Sequence, residues 1–490
     1  MQSTGGSLNC ALCYALGRPQ PSVPPADRTG KADPSCRHRL IHTHTYYCPS
    51  HSHDFGNDPK VDCVAKIINM SSFHDDAIGA FNHPNIVRHV ETRALAPEVQ
   101  RYFAAQHGRP RDTVYSVVVS EFCQWGSLNQ QWRDTATRKR GKESTEWLVV
   151  QLLLALHQCH ATHNIMHRDV TSTNIFVADL RGGVGVASDQ TDFFDVKLGD
   201  FGLSKPQSLV SVGQPAYHST CGTSWYLCPE LMRAYPDPSG PPGDPTVYSS
   251  SADIFALGVA LYEYLCYATP FGVARAEDRV LMGSALQLLQ DRSPTPEIAA
   301  VVAAMLKFHP DERPTALGAF RAFPFLRAAL QWYAHSREKE NPDAPWVPTL
   351  KAQVAILAAP ALQPSDRIGV FQKHSLAGAR GRLLEVFVTP VGVWSHRRHF
   401  PQSCQLIQAA HITSVTFDDN DEDTPAKDSA PLMDDEDSDD EGVTPPRYGV
   451  VILHKLKSRV AYDLRAHDSR TARRLYDASL EANRAAAPPR

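Results

Sequence analysis

Two hydrophobic periods alternate along this 490-residue chain. From Val61 to Met70 the apolar residues are spaced as in a β-strand. Val114 to Phe122, with TyrSerValValValSerGluPhe at its core, reads the same way. Trp147 to His160 is apolar at helical spacing, Ala252 to Tyr267 forms a strongly apolar helix, and helical segments continue to Ser336. Residues 337–365, rich in Pro and Ala, read as part of a linker, set at 329–366. Strand-like sequence runs from Arg367 to Phe417 and resumes at Tyr448, and a last helix spans about His467 to Asn483. Asp418 to Glu441 is a dense acidic block broken by Pro; it lacks the apolar residues a core needs and predicts a disordered insert at 418–441. Residues 1–54 hold Cys, His, Pro and Ser without a period and read as loop-rich.

At 42% hydrophobic residues, a chain of this length predicts two or three domains. A net charge of -4 supplies no global basic field, so no nucleic-acid partner is expected. No run of about 18 uncharged apolar residues predicts a transmembrane helix. Met1 to Leu8 is polar, which argues against a secretory signal and for a cytoplasmic address, with cytoskeletal or membrane association open. The eleven Cys are then expected to be thiols or metal ligands rather than disulfides.

One constellation carries chemistry. His167-Arg168-Asp169 is followed five residues later by Asn174, and Asp200-Phe201-Gly202 comes 26 residues after that. Phosphoryl transfer depends on positioning and charge neutralisation more than on covalent chemistry. Asp169 can orient an attacking hydroxyl and take its proton. Asn174 and Asp200 offer oxygen ligands to Mg²⁺, a hard cation.

The stretch IleMetHisArgAspValThrSerThrAsnIlePheVal resembles a protein-kinase catalytic loop, and ValLysLeuGlyAspPheGlyLeuSer resembles the metal loop that follows it. CysGlyThrSerTrpTyrLeuCysProGluLeu, SerAlaAspIlePheAlaLeuGlyValAlaLeuTyrGlu and HisProAspGluArgProThr resemble the later motifs of the same domain, in the same order. The resemblance covers about residues 60–328 and, in its details, is nearest to the NIMA-related serine/threonine kinases. It implies a kinase domain at 55–328 that uses ATP and Mg²⁺. Lys66 would hold phosphates, and Glu121 to Cys123 would form the adenine hinge behind a small gatekeeper, Ser120. Asp169 would be the base, and Asn174 and Asp200 the metal ligands. Thr223 would support the substrate hydroxyl. Glu230 would pair with Arg313, and Asp253 would brace the catalytic loop. Ser219 and Thr220 would be regulatory sites whose phosphate could pair with Arg168.

Three departures bear on activity. No glycine-rich loop precedes Lys66, since Cys36 to Asp62 holds only Gly56. The stretch from Lys66 to His83 has no Glu, leaving Asp75 and Asp76 as its carboxylates for pairing with Lys66. Thr171 stands where the family usually carries a γ-phosphate-binding Lys. A working serine/threonine kinase is the leading expectation; the alternative is a pseudokinase scaffold that binds nucleotide or partners.

The flanks carry weaker signals. Cys10 and Cys13 form a CxxC pair that Cys36 with Cys48, or Cys36 with one His, could complete as a Zn²⁺ site; the competing reading is a His-rich tail with incidental thiols. Residues 367–486 resemble a pleckstrin-homology domain, implying a small β-sandwich or barrel capped by a helix. Lys373, Arg380 and Arg382 are its candidates for inositol phosphates, against a protein-docking alternative. The expected fold class is therefore α+β: a two-lobed kinase followed by this smaller unit. Protein substrates are the expected partners.

Overall fold

The computed structural model of the chain describes residues 39–42, 45–55, 58–69, 81–95, 97–106, 110, 114–133, 140–180, 193–206, 223–234, 249–271, 279–359, 362–374, 382–397, 400–408, 412–419, 449–455, 461–466 and 469–486. The first layer is an antiparallel sheet of β1 (Arg39–His42), β2 (Thr45–Phe55), β3 (Asp58–Asn69), β4 (His89–Ala94) and, after α1 (Pro97–Gln106), β5 (Tyr115–Glu121), in the order β1-β2-β3-β5-β4. Its core is small: Cys63, Ala65 and Ile67 on β3 meet Tyr115, Val117 and Val119 on β5, with Leu95 and Ala104 beside them. The period-2 pattern of β3 and β5 places these side chains on one face.

This sheet corrects one boundary. Residues 39–42 and 45–55 are not loop-rich but supply its first two strands, so the lobe begins before residue 55. Cys48 lies within β2, in register with Cys63 of β3; Cys10, Cys13 and Cys36, the other zinc candidates, lie outside the described residues. The His- and Pro-rich composition hides the strand period, because His, Ser and Pro give no apolar alternation to read.

The second lobe is helical. It comprises α2 (Leu128–Arg133), α3 (Lys142–His157), α4 (Pro229–Ala234), α5 (Ser250–Cys266), α6 (Gly283–Arg292), α7 (Pro296–Met305), α8 (Ala316–Ala322), α9 (Pro324–Glu340) and α10 (Val347–Leu357). Short strand pairs β6 (Ile165–Met166) with β9 (Lys205–Pro206), and β7 (Ile175–Leu180) with β8 (Phe194–Leu198), sit at its cleft side. Helix α5 is buried from Ala252 to Cys266 on every face, as a helix apolar nearly all round is expected to be. Thr295 and Thr315 cap α7 and α8 through their hydroxyls, accepting from Ile298 N and Gly318 N.

The expected linker is not one. Helices α9 and α10 occupy most of 329–366, and Leu326, Leu330, Tyr333, Leu350, Gln353 and Leu357 are buried in the lobe's core. Val347, Leu350, Val354 and Leu357 fall at helical spacing, which outweighs the surrounding Pro and Ala.

The remaining chain forms a seven-stranded antiparallel sheet. Its strands are β10 (Arg367–His374), β11 (Arg382–Thr389), β12 (Gly392–Arg397), β13 (Phe400–Gln408), β14 (Ile412–Asp419), β15 (Gly449–Lys455) and β16 (Ala461–Ala466), in the order β13-β12-β11-β10-β16-β15-β14. Helix α11 (Ser469–Ala486) packs Ala472, Leu475, Ser479 and Ala482 against it. Asp418 and Asp419 pair with Val450 and Gly449 inside β14, so the acidic insert starts later than residue 418.

This sheet docks on the helical lobe by an edge. Thr315 N donates to Gln402 O at 3.1 Å, Thr315 Oγ1 donates to Cys404 O at 2.6 Å, and Arg397 pairs with Asp311. Phe387, Trp394 and Cys404 join the lobe's hydrophobic core. A Cβ on Gly318 would lie 1.7 Å from Gln402 O, so glycine is what permits the close approach. Among the described residues, no helix is long and apolar enough to cross a membrane.

Candidate active site

Helix α3 runs into a five-residue π-turn, Gln158–Thr162. Such a turn accommodates an extra residue, and here it carries His160 to Asp253 on α5, with His160 Nε2 2.8 Å from Oδ2. The same carboxylate accepts His167 N and Arg168 N, both at 2.8 Å. Burial pushes the Asp253 carboxyl up, but the hydrogen bond and charge of His160 and the backbone donors outweigh it and hold it below the ordinary range. The loop is thus pinned at its start, with Arg168 in the left-handed region at φ 69°.

Asp169 follows at the cleft. Asn174 Nδ2 donates to Asp169 O at 2.9 Å and to Oδ2 at 2.8 Å. Committing the amide nitrogen leaves Asn174 Oδ1 as the atom able to serve a cation. Burial raises the Asp169 carboxyl above its usual range, and the charge of Asp200 adds to this against His167, Asn174 and Lys66.

Strand β8 delivers Asp200. Gly199 N donates to Asn174 O, and His167 Nε2 lies 3.0 Å from Gly199 O. A Cβ at Gly199 would meet Val87 at 2.7 Å and Phe176 at 2.9 Å, so the turn passes closely between them. Asp200 then takes a left-handed conformation, φ 61° and ψ 65°. Lys66 Nζ reaches its carboxylate at 2.7 Å and 2.6 Å. Burial raises this carboxyl, yet the Lys66 charge and hydrogen bond hold it below the usual range. Asp75 and Asp76 lie outside the described residues; among the described residues the carboxylate that Lys66 meets is Asp200, a pairing not foreseen in the sequence. Phe201 lies between His167, edge to face at 4.6 Å, and Phe81, tilted at 5.0 Å.

Residues 76–324 match the family described as protein kinase domain. The chain belongs to the protein kinase family. It is 28% identical over 295 residues to a Trypanosoma brucei brucei protein whose name places it among the serine/threonine-protein kinases as kinase B, covering 57% of this chain and 58% of that protein. It is 31% identical over 224 residues to serine/threonine-protein kinase Nek1 of Toxoplasma gondii, covering 43% of this chain and 12% of that protein. With serine/threonine-protein kinase Nek3 of Oryza sativa subsp. japonica it shares 30% identity over 207 residues, 41% of this chain and 30% of that protein. The kinase therefore spans just under three fifths of the first relative's length and less of the other two.

At the end of β5 of this kinase, Ser120 is half-buried and Cys123 buried. Burial drives the Cys123 thiol up to about 12, which makes it a packing residue rather than a nucleophile. Glu121 accepts Lys197 Nζ of β8 at 2.7 and 2.8 Å and Arg88 N at 2.7 Å. Arg313 donates both terminal nitrogens to Glu230, at 2.7 and 2.8 Å. Thr171 turns its hydroxyl to Thr173 at 2.7 Å and supplies no charge.

Sequence reasoning missed Ser172. Its N–H donates to Tyr226 Oη at 3.1 Å and its hydroxyl to Glu263 at 3.0 Å, while Tyr226 also bonds Glu263. This node ties the catalytic loop to the segment before α4 and to α5. Its signal was available: the polar Thr-Ser-Thr run sits between two apolar strands. Ser219, Thr220, Cys10, Cys13, Cys36 and Arg380 fall outside the described residues. Lys373 and Arg382 are register partners on β10 and β11. Among the described residues, no group of three His, Cys, Asp or Glu is placed to hold a metal ion.

Proposed function

We propose that this chain is a serine/threonine protein kinase of the NIMA-related kind, transferring the γ-phosphoryl group of ATP to a protein hydroxyl. The observation that carries the reading is the convergence of Lys66, Asp169, Asn174 and Asp200 at one cleft, with Lys66 on Asp200 at 2.6 Å and Asn174 on Asp169 at 2.8 Å. Asp169 orients the acceptor hydroxyl and takes its proton as the oxygen bonds to the γ-phosphorus; the bond to the bridging oxygen breaks, and ADP leaves. The raised basicity of Asp169 suits that role. The oxygens of Asn174 and Asp200 form a donor set suited to Mg²⁺, which when bound supplies charge neutralisation. Lys66 is placed to move from Asp200 to phosphate oxygens. Backbone groups of Glu121 and Cys123 would take the adenine. Thr223 would support the acceptor, and Ser219 and Thr220 would carry activating phosphate.

The second reading, a scaffold without efficient catalysis, is favoured by the β1–β2 hairpin. The residues between its register partners His42 and Thr45 are Thr and His, with no glycine to let backbone N–H groups close on phosphate. Transfer from labelled ATP to casein separates the two. Activity lost on Asp169→Asn and on Lys66→Met, by about 10²-fold or more, supports the kinase; equal traces in all three proteins leave the scaffold.

The carboxy-terminal unit is read as a pleckstrin-homology-like docking domain. The seven-strand order closed by α11 supports this, with Lys373 and Arg382 opposite each other as phosphate ligands. Vesicles containing phosphoinositides should bind the full chain and release it on Lys373→Glu with Arg382→Glu. Absence of binding would turn the reading to protein docking.

A further inference from the structure

The family match ends at residue 324, yet the polar network behind Asp200 runs on into α9 and α10. Tyr333 on α9 donates its hydroxyl to Asn85 Oδ1 at 2.9 Å. Asn85 Nδ2 in turn donates to Gln151 Oε1 of α3 at 3.0 Å and to Val196 O of β8 at 3.1 Å. Gln353 on α10 donates to Leu154 O at 2.8 Å and meets His157 Nδ1 at 3.0 Å, and its Oε1 lies 2.9 Å from His83 Nε2. His83 Nδ1 accepts Asn85 N at 3.1 Å. Asn82 Nδ2 donates to Pro345 O, between the two helices, at 2.7 Å.

The pattern is chemically consistent. A glutamine amide nitrogen donates, its oxygen accepts, and His83 carries its proton on Nε2 while Nδ1 accepts. Burial lowers His83 to about 4, so the ring is neutral and this tautomer serves at physiological pH. Tyr333, Asn85, Gln353 and His83 are all below 5% exposed, so none can turn to water for a replacement partner.

The segment they hold is the one that carries β8. Leu198 N donates to Asn85 O, and Val87 N to Leu198 O, both at 2.9 Å. Asp200 follows two residues on. Phe81, at the start of the same segment, contacts Phe201. We infer that Tyr333 and Gln353 are positioning residues for phosphoryl transfer, holding residues 81–87 so that β8 presents Asp200 to the cleft. The functional catalytic unit therefore extends to about residue 358. This inference rests on the kinase reading above for the role of Asp200.

The test uses the full chain with Tyr333→Phe, which deletes one oxygen, and Gln353→Ala. Expected are a KM for Mg²⁺·ATP raised roughly tenfold, an unchanged KM for casein, and faster amide exchange confined to 81–87 and 194–202. Unaltered exchange in those segments, or exchange that speeds equally throughout α5, overturns it. Tyr333→Phe keeps the test decisive should Gln353→Ala not fold. A wild-type chain that transfers no phosphate would defeat the kinase reading alone, because the exchange measurement still decides whether α9 and α10 hold β8.

Discussion

The two walls of the cleft are built to different standards. On the helical side, Asp253, His160, Asn174 and Gly199 fix the catalytic loop through several short bonds, of which those from Asp253 to the backbone are buried. On the sheet side, the described contact that places Lys66 is a single part-exposed ion pair with Asp200, across 134 residues of sequence. The sheet's core is also the smaller one. A loop held by buried bonds is fixed beforehand, whereas under the proposed function a lysine resting on Asp200 would have to be moved by the incoming nucleotide. The difference teaches that preorganisation is concentrated on the loops that carry Asp169 and Asp200; on the kinase reading proposed above, phosphate binding is then left to be completed by ligand.

The largest effect that could break this contrast is at Asp253. Asp253→Ala strands two buried N–H groups and His160, and should cost about 3–5 kcal/mol in urea unfolding; a loss below 1 kcal/mol would mean that the helical wall does not depend on this brace. The sign of its pH dependence follows from its lowered pKa. Its stabilisation is present above the unfolded-state value and is lost as pH falls through the folded one.

Next in size is the acid limb of activity. In the proposed role Asp169 would act as a base when ionised, and its carboxyl is raised by burial, then by Asp200. Transfer at saturating ATP should therefore decline about tenfold per pH unit below a midpoint above 3.8, the ordinary aspartate value. A rate flat down to that ordinary value would remove Asp169 from the role.

The smallest expected effect sharpens the other wall. If Asp200 is the carboxylate that carries Lys66, Asp75→Ala and Asp76→Ala, both outside the described residues, should each change kcat by less than about twofold. A loss of about 10²-fold from either would restore that carboxylate as the partner of Lys66.

How much of this was legible follows the same division. The motifs of the helical lobe lie in short contiguous runs that resemble those of the kinase family, and that resemblance, together with the chemistry of Asp169, Asn174 and Asp200, let Asp253 and the Glu230–Arg313 pair be named before any geometry. The sheet side could be read only in β3 and β5, where Val and Ile alternate. Strands β1 and β2 escaped because His, Cys and Pro carry no amphipathic period, although each pairs through its backbone. Helix α10 escaped for the opposite reason: its Pro and Ala suggested a linker, while Val347, Leu350, Val354 and Leu357 held the helical spacing. The Lys66–Asp200 pair, the Ser172 node and the reach of Gln353 to His83 join distant positions, and no local pattern announces such contacts.

Gly318 has a meaning beyond its fit. With the carboxy-terminal sheet seated directly on α8 at this glycine, and with Trp394 and Cys404 sunk into the helical lobe, the cleft and the sheet keep one bearing. Whatever surface the sheet settles on, the cleft then faces a set direction and sweeps a narrow arc. Under the proposed function, a hydroxyl outside that arc would stay out of reach whatever its flanking residues, and the choice of acceptor would become a matter of aim as well as of recognition.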